Sequence, residues 1–358
     1  MEPSIDPTTT ARREAPYRSH EVTKCPLCGH SGTVLHRGIT DRAYGVPGES
    51  DIMRCAQCGT GWLNPAPVAE DFGHCYVGAY YTHEREQTPS MGSSKRAAFL
   101  RGAVLSARKG YDHLQAGGAG SILGSLLMYV PPVWQRVSWG LDELLLSYRK
   151  GGRLLEIGCG SGSYLAIMRM LGWDVCGLDV DPAAAEEARA AANCPVHVGT
   201  IEQAPFPEGS FDAIASSHVV EHVDDPKSFV AASARLLTKG GVMAVRTPNF
   251  QSLGHKLFST DWFSLDPPRH LCLFTPDSLR DLFRASGAFR DIRTKTVTTG
   301  SRLAIRRRQA VRATGNFLSE VRTDWRERLV ERLFIAAEGA GDRIFHWGEE
   351  VECTAIRS

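Results

Sequence analysis

Two stretches of the chain carry residues whose types and spacing could do chemistry. The first is "HVVEH", His218 to His222, which sets two imidazoles and a carboxylate within five residues. On a continuous helix, H-x-x-E-H holds zinc and aims the Glu at a water, the arrangement of some metallopeptidases. The second is a matched pair, "CPLCGH" and "CAQCGT", which puts Cys25 and Cys28 opposite Cys55 and Cys58. Two C-x-x-C turns can offer four thiolates tetrahedrally to Zn²⁺, and the Gly after each pair lets the backbone curl around the sulfurs. A site closed by four Cys is structural, so the expected metal staples a small module rather than catalyses.

The elements around "HVVEH" argue against the peptidase. A metal-binding helix needs several turns, but "DDP" at Asp224 to Pro226 starts a new helix only two residues later, with Asp225 as cap and Pro226 in the first turn. The preceding run "FDAIAS", Phe211 to Ser216, reads as a strand. The five residues therefore emerge from the C-terminal edge of a sheet, where open α/β sheets bind ligands. Two readings stay open there. Either His218, Glu221 and His222 orient the loop, or they lie beside a reacting group and one of them, His222 first, removes a proton.

At 358 residues with 42% hydrophobic and 23% charged, the chain suits one large domain and an accessory one. A net charge of +1 gives no overall field for nucleic acid or membrane, so any such contact must be local. The start, "MEPSIDPTTTARREAPYRSH", has no apolar run that could serve as a signal peptide, and "SILGSLLMYVPPVW" is too short to span a bilayer. The expected location is the cytoplasm, where the ten Cys are thiols and metal ligands rather than disulfides.

From Gly152 short β-branched runs alternate with helical stretches, the mark of a doubly wound Rossmann-like sheet with helices on both faces. "RLLEIGCGSGSYLAIMRMLG" gives a strand Leu154 to Ile157, a loop with Gly158, Gly160 and Gly162, and an amphipathic helix. "DVCGLDV" gives a second strand ending at Asp179, and Asp181 with Pro182 starts the next helix. Such a unit suits an adenosine-containing cofactor: glycines let it lie on the backbone, the helix N-terminus favours an anionic group, and the acid accepts ribose hydroxyls. The spacing here is G-x-G-x-G, with Ser163 where the dinucleotide fingerprint has its last Gly.

"LLEIGCGSG", "GLDVDP", "APFPEGSFDAIASSHVVEHVDDPKSFV", "RLLTKGGVMAVRTPN" and "PPRHLCLFTPDSLRDLFRASGA" together resemble the class I S-adenosylmethionine-dependent methyltransferases over about residues 153–291. The N-terminal half resembles a branch in which a four-Cys zinc module precedes the catalytic domain, as in deoxysugar C-methyltransferases and relatives from polysaccharide and natural-product pathways. The resemblance implies a seven-stranded sheet whose last strand, "VECTAIRS", is antiparallel. It also implies cofactor roles residue by residue. Glu156 would face the methionine end, while Gly158, Cys159, Gly160 and Gly162 would line the carboxylate and ribose. Asp179, with Val180 beside it, would hold the ribose hydroxyls; Thr200 and Ile201 would flank the adenine, and Ser217 would be a further cofactor contact. The commonest pattern has Asp where Thr200 stands, so the adenine amine would fall to backbone carbonyls or to Glu202.

The expected organisation is a disordered lead-in over 1–20, a zinc module over 21–85, a helical cap over 86–150 and the methyltransferase domain over 151–358, with a helical insert at about 301–345. Candidate substrate contacts are Tyr80, Tyr81, Trp262, Arg269 and His270, each with a competing reading as core or loop structure. The insert opens with Arg302, Arg306, Arg307, Arg308 and Arg312. That run is either a solvated face, a seat for phosphates of an activated sugar, or a contact with an anionic membrane surface. The expected acceptor is a small molecule or glycan. A nucleic-acid acceptor is the weaker alternative, because no Asn/Asp-Pro-Pro-aromatic turn follows the fourth strand and no aromatic-interleaved basic stripe is present. A non-catalytic cofactor-binding scaffold is weaker still, because Glu156, the glycines and Asp179 are all in place.

Overall fold

A computed structural model describes residues 15–76, 94–114, 118–127, 129–139 and 141–358 of the chain. Tyr80 and Tyr81 lie outside the described residues.

The N-terminal part begins with β1 (Ser19–His20), β2 (Gly32–Ile39), β3 (Ser50–Cys55), β4 (Gly61–Asn64) and β5 (Ala66–Pro67). β1 pairs with β5, and β2, β3 and β4 form an antiparallel meander whose fourth strand, β11 (Cys272–Leu273), comes from more than two hundred residues downstream. The small sheet is therefore not assembled from residues 21–85 alone. Its apolar residues Ile52 and Leu63 share one core with Phe250, Trp262 and Leu273, so the module buries its weak hydrophobic face against the larger domain.

Three helices, α1 (Lys95–Lys109), α2 (Gly118–Leu127) and α3 (Pro131–Val137), come next. Val104, Leu105, Tyr111 and Trp134 carry α1 and α3 onto one side of the large sheet, against Leu154 and Trp173.

That sheet contains β6 (Arg153–Ile157), β7 (Asp174–Asp179), β8 (Val196–Val198), β9 (Phe211–Ser217), β10 (Leu237–Pro248), β12 (Phe289–Val297) and β13 (Glu350–Arg357). The order is β12-β13-β10-β9-β6-β7-β8, and β13 alone runs antiparallel to its neighbours. This is the Rossmann-like fold that the alternating pattern predicts, with α4 (Ser163–Met170) and α5 (Pro182–Ala192) on one face and α6 (Pro226–Leu236) and α8 (Pro276–Ala285) on the other. The starts follow from local chemistry: Asp181 accepts the Ala183 N–H, Asp225 accepts the Lys227 and Ser228 N–H groups, and a Pro follows each cap. The short α7 (Leu253–Phe258) follows β10, and α9 (Ser301–Thr314) with α10 (Trp325–Phe345) separates β12 from β13. No described helix is long and apolar enough to cross a membrane.

Candidate active site

β6 and β9 are adjacent parallel strands, with Glu156 in register with Ala215, so the chain leaves both strands at the same sheet edge. From β6 it enters the Gly loop, and from β9 it enters "HVVEH". Gly158, Gly160 and Gly162 all have positive φ, which L side chains rarely adopt. A Cβ on Gly158 would stand 2.3 Å from Val219 of the "HVVEH" turn, and one on Gly162 would meet the Ala188 backbone of α5 at 2.7 Å. The glycines thus let the loop pass beneath the turn and let α4 close on α5.

Below the loop lies a cavity of about 340 Å³ bounded by Glu156, Ser163, Tyr164, Ser216, Ser217 and Arg246, with Leu141 and Leu144 on one wall. Glu156 is 6% exposed and Ser216 is 1% exposed, yet Glu156 Oε2 and Ser216 Oγ have no hydrogen-bond partner. Burial, reinforced by the nearby Asp179 carboxylate, pushes Glu156 well above the usual carboxylate range. Native structures seldom leave such atoms unpaired. A ligand with a cationic amine fits this wall, as the amino-acid end of S-adenosylmethionine would.

Asp179 at the tip of β7 accepts the Gly160 N–H on Oδ2 at 2.8 Å and the Asp181 N–H on Oδ1 at 3.0 Å. It pins the Gly loop to the second strand, and each oxygen keeps a further acceptor site. Val180 beside it is 68% exposed, Thr200 is exposed and Ile201 is buried. Cys159 is buried, and burial raises its thiol beyond any nucleophilic use.

The two histidines of "HVVEH" part ways. His218 adopts φ 56° and turns toward Glu350, 3.1 Å from Nε2, with Glu221 3.3 Å from Nδ1. Burial opposes its charge, but the two carboxylates outweigh it and hold His218 at about 10. Glu221 is fully buried; burial again works against its charge, and the neighbouring His218 brings it down to about 2. Its Oε2 also accepts the Thr247 hydroxyl at 2.9 Å. His218 and Glu221 therefore form an ion pair at the root of the turn.

His222 faces the other way. Its Nδ1 lies 3.0 Å from the Arg269 carbonyl and 3.1 Å from the Tyr76 hydroxyl. A carbonyl can only accept, so the hydrogen-bond network assigns the proton to Nδ1 and leaves Nε2 as the basic nitrogen. Burial, and then the His270 ring 4.6 Å away, lower His222 to about 4. The Glu221 charge is matched by His218, so burial decides His222. Glu221, His222 and His270 bring one ligand atom each within 4.8 Å of one another, and His218 is not part of that group. Residues 219–222 form a turn, not the helix a peptidase would need.

The other candidates differ in kind. Trp262 is 1% exposed and donates its indole N–H to Glu349. Arg269 is fully buried, held by Asp266, Asp41 and the Cys75 carbonyl, with Tyr44 under the guanidinium. Both are spent on internal contacts. His270 is 5% exposed and donates from Nδ1 to the Ser264 carbonyl. Tyr76, absent from the sequence candidates, is the aromatic that reaches His222; only its place in the "CYVGAYY" cluster pointed to it.

In the small sheet the four Cys meet as the spacing predicts. The Sγ contacts Cys25–Cys58, Cys28–Cys55 and Cys28–Cys58 are 3.5, 3.4 and 3.5 Å, and all four sulfurs lie within 4.8 Å of one another. Sulfurs of a tetrahedral zinc site, each about 2.3 Å from the ion, stand roughly 3.8 Å apart. The knuckles are alike: Gly29 donates to the Cys25 carbonyl and Gly59 to that of Cys55, both at φ 74°. The donor set fits zinc.

Residues 135–288 match the family model described as "Methyltransferase domain". A protein of Cereibacter sphaeroides named ubiquinone biosynthesis O-methyltransferase is 34% identical over 149 residues, 38% of this chain and 60% of that one. A probable S-adenosylmethionine-dependent methyltransferase of Mycolicibacterium smegmatis is 36% identical over 106 residues, 29% of this chain and 41% of that protein. The chain thus spans about two fifths to three fifths of the length of these relatives. A solved SAM-dependent methyltransferase from Archaeoglobus fulgidus shares 18% identity at a TM-score of 0.44, covering 62% of this chain and 94% of its own. Over residues 135–288, which hold the Gly loop and most of the doubly wound sheet, the chain is thus similar to S-adenosylmethionine-dependent methyltransferase domains.

Proposed function

We propose that the protein transfers a methyl group from S-adenosylmethionine to a small-molecule or glycan-type acceptor in a biosynthetic pathway. The observation that carries this reading is the buried, unpaired Glu156 Oε2 in a cavity also lined by Ser216 and Ser217, which directly precede the "HVVEH" turn. The name of the Cereibacter sphaeroides relative, a ubiquinone biosynthesis O-methyltransferase, supports a small-molecule acceptor.

When bound, the sulfonium supplies an already activated methyl group, so the protein has mainly to align an in-line attack and to manage the acceptor's proton. Glu156 would hold the cofactor's amine, Asp179 its ribose hydroxyls, and Val180 with Ile201 its adenine. Arg269 fixes, through its own carbonyl, the tautomer of His222, and His222 Nε2 takes the acceptor proton. The Glu221–His218 pair keeps the turn in shape without competing for that proton, since its own charge is balanced. A zinc ion held by Cys25, Cys28, Cys55 and Cys58 would be structural.

The test is calorimetric titration with S-adenosylmethionine, followed by transfer of labelled methyl to a panel of nucleotide-linked sugars and phenols. Absence of cofactor binding sinks the reading as a whole. His222→Ala should lose at least a hundredfold in turnover, on the order expected for a general base, while cofactor affinity stays within about twofold. Near-normal turnover would leave His222 a structural residue.

A further inference from the structure

The basic run that opens the insert is not where a surface would dock. On α9, Arg302 and Arg306 pair with Glu331 at 3.0 and 3.3 Å. Arg307 lies over the Phe263 ring and Arg308 over that of Phe258. These guanidinium groups fasten α9 to its neighbours.

α10 presents a different face. Its inward side is marked by buried Glu331, Phe334, Glu338 and Gly341. On the opposite side Trp325, Leu329, Leu333 and Ile344 are 68, 48, 61 and 71% exposed, and exposed Ala336 and Ala340 fill the intervals. The spacing of four, four, three, four and four residues makes one continuous apolar stripe along a 21-residue helix. Exposed Arg326, Arg328, Arg332 and Arg343 edge the stripe. The helix's acids are elsewhere: Asp324 and Glu327 form the capping box, Glu331 pairs with α9, Glu338 is buried, and Asp342 accepts the Gly348 N–H and the Thr296 hydroxyl. An apolar stripe bordered by cations only, with a Trp at one end, has the chemistry of a helix lying in the headgroup region of an anionic bilayer.

We propose that the outward face of α10 is a membrane-docking surface whose occupant is an anionic lipid bilayer, with the stripe inserted and the four arginines at the phosphates. A symmetric second copy fits poorly. In an isologous contact the same patch faces itself, so arginines with no acid on that face would oppose arginines. The inference stands on α10 alone and does not depend on the acceptor or on the base.

The test uses the full-length protein with vesicles of phosphatidylcholine alone and of phosphatidylcholine with about one third phosphatidylglycerol, read by flotation. Binding should be at least roughly tenfold tighter to the anionic vesicles and should fall steeply with salt. Leu329→Asp with Leu333→Asp, and separately Arg326→Gln with Arg332→Gln and Arg343→Gln, should each reduce binding at least tenfold. These positions are exposed, so melting temperature and cofactor affinity should stay as in the parent, which separates lost docking from lost folding. Absence of vesicle binding, or equal binding to both compositions, overturns the proposal. So does concentration-dependent pairing in sedimentation that Leu333→Asp abolishes, which would make the stripe an interface between copies.

Discussion

Replacing Glu156 by Gln should move two observables in opposite directions. The carboxylate is 6% exposed, carries an unpaired oxygen and sits near Asp179, so burial and a like charge both favour its protonated form. Because the folded-state pKa lies above the unfolded one, Glu156 costs no stability at pH below the unfolded value of about 4.3, and the cost grows as pH rises toward the folded value. The Gln variant without cofactor should therefore melt higher than the parent, by a margin larger at pH 8 than at pH 5. Its cofactor affinity should fall. A hydrogen bond to a charged partner contributes about 1.5–3 kcal/mol, or roughly 10- to 150-fold in Kd. Calorimetry in two buffers of different ionisation enthalpy adds a sharper readout. The parent should release up to about one proton per cofactor near neutral pH as Glu156 ionises to meet the amine, and the variant should release none. A Kd within twofold of the parent, or the same proton release from both proteins, would refute the placement of the amine at Glu156.

The histidines and the buried Glu338 of α10 give two further outcomes. In an NMR titration His222 should protonate near pH 4, and His218 should stay charged up to about pH 10. A common midpoint near 6.5 would show that neither environment acts as described. Glu338 is fully buried, and burial together with Glu349 raises it to about 8. Its penalty is absent below about pH 4.3 and complete near pH 8, so Glu338→Gln should add on the order of 2–4 kcal/mol to unfolding stability at pH 8 and little at pH 5. Equal gains at both pH values, measured by denaturant unfolding, would contradict it.

What the sequence made legible follows from how local its causes are. The sheet order rests on alternation and on caps such as Asp181–Pro182 and Asp225–Pro226, whose partners lie within three residues. The cysteine knuckles are two local turns joined by one hairpin, so their meeting could be read from spacing. Arg269 could not be read this way. An Arg in a loop is ordinarily exposed, and its complete burial depends on Asp41, 228 positions earlier. The Tyr76–His222 contact spans 146 positions, and the pairing of β11 with β4 involves two residues with no strand signature of their own. The arginines of α9 look free in one dimension because Glu331, Phe258 and Phe263, which hold them, lie on other elements.

Those same long-range contacts connect the cysteine cluster to the candidate base. Cys55 ends β3, β3 pairs with β4, and β4 pairs with β11, whose backbone follows directly from Arg269 and His270. Arg269 in turn holds the Cys75 carbonyl one residue before Tyr76, and its own carbonyl holds His222. The cavity beside Glu156, proposed to take the cofactor, is in contrast lined by residues of the 139–167 and 215–246 regions, none of them in the small sheet. Stripping a zinc ion from the four thiolates should therefore disturb His222 far more than it disturbs cofactor binding. Chelator treatment should release about one zinc per chain and lower the melting temperature, because a structural zinc contributes folding free energy directly. S-adenosylmethionine affinity should change by less than about threefold, whereas the His222 titration should move from about 4 toward the ordinary 6.5 as the Tyr76 and Arg269 enclosure loosens. If cofactor affinity collapses while His222 still titrates near 4, the module supports the Gly-loop half of the site, and the mechanical link through Arg269 is wrong.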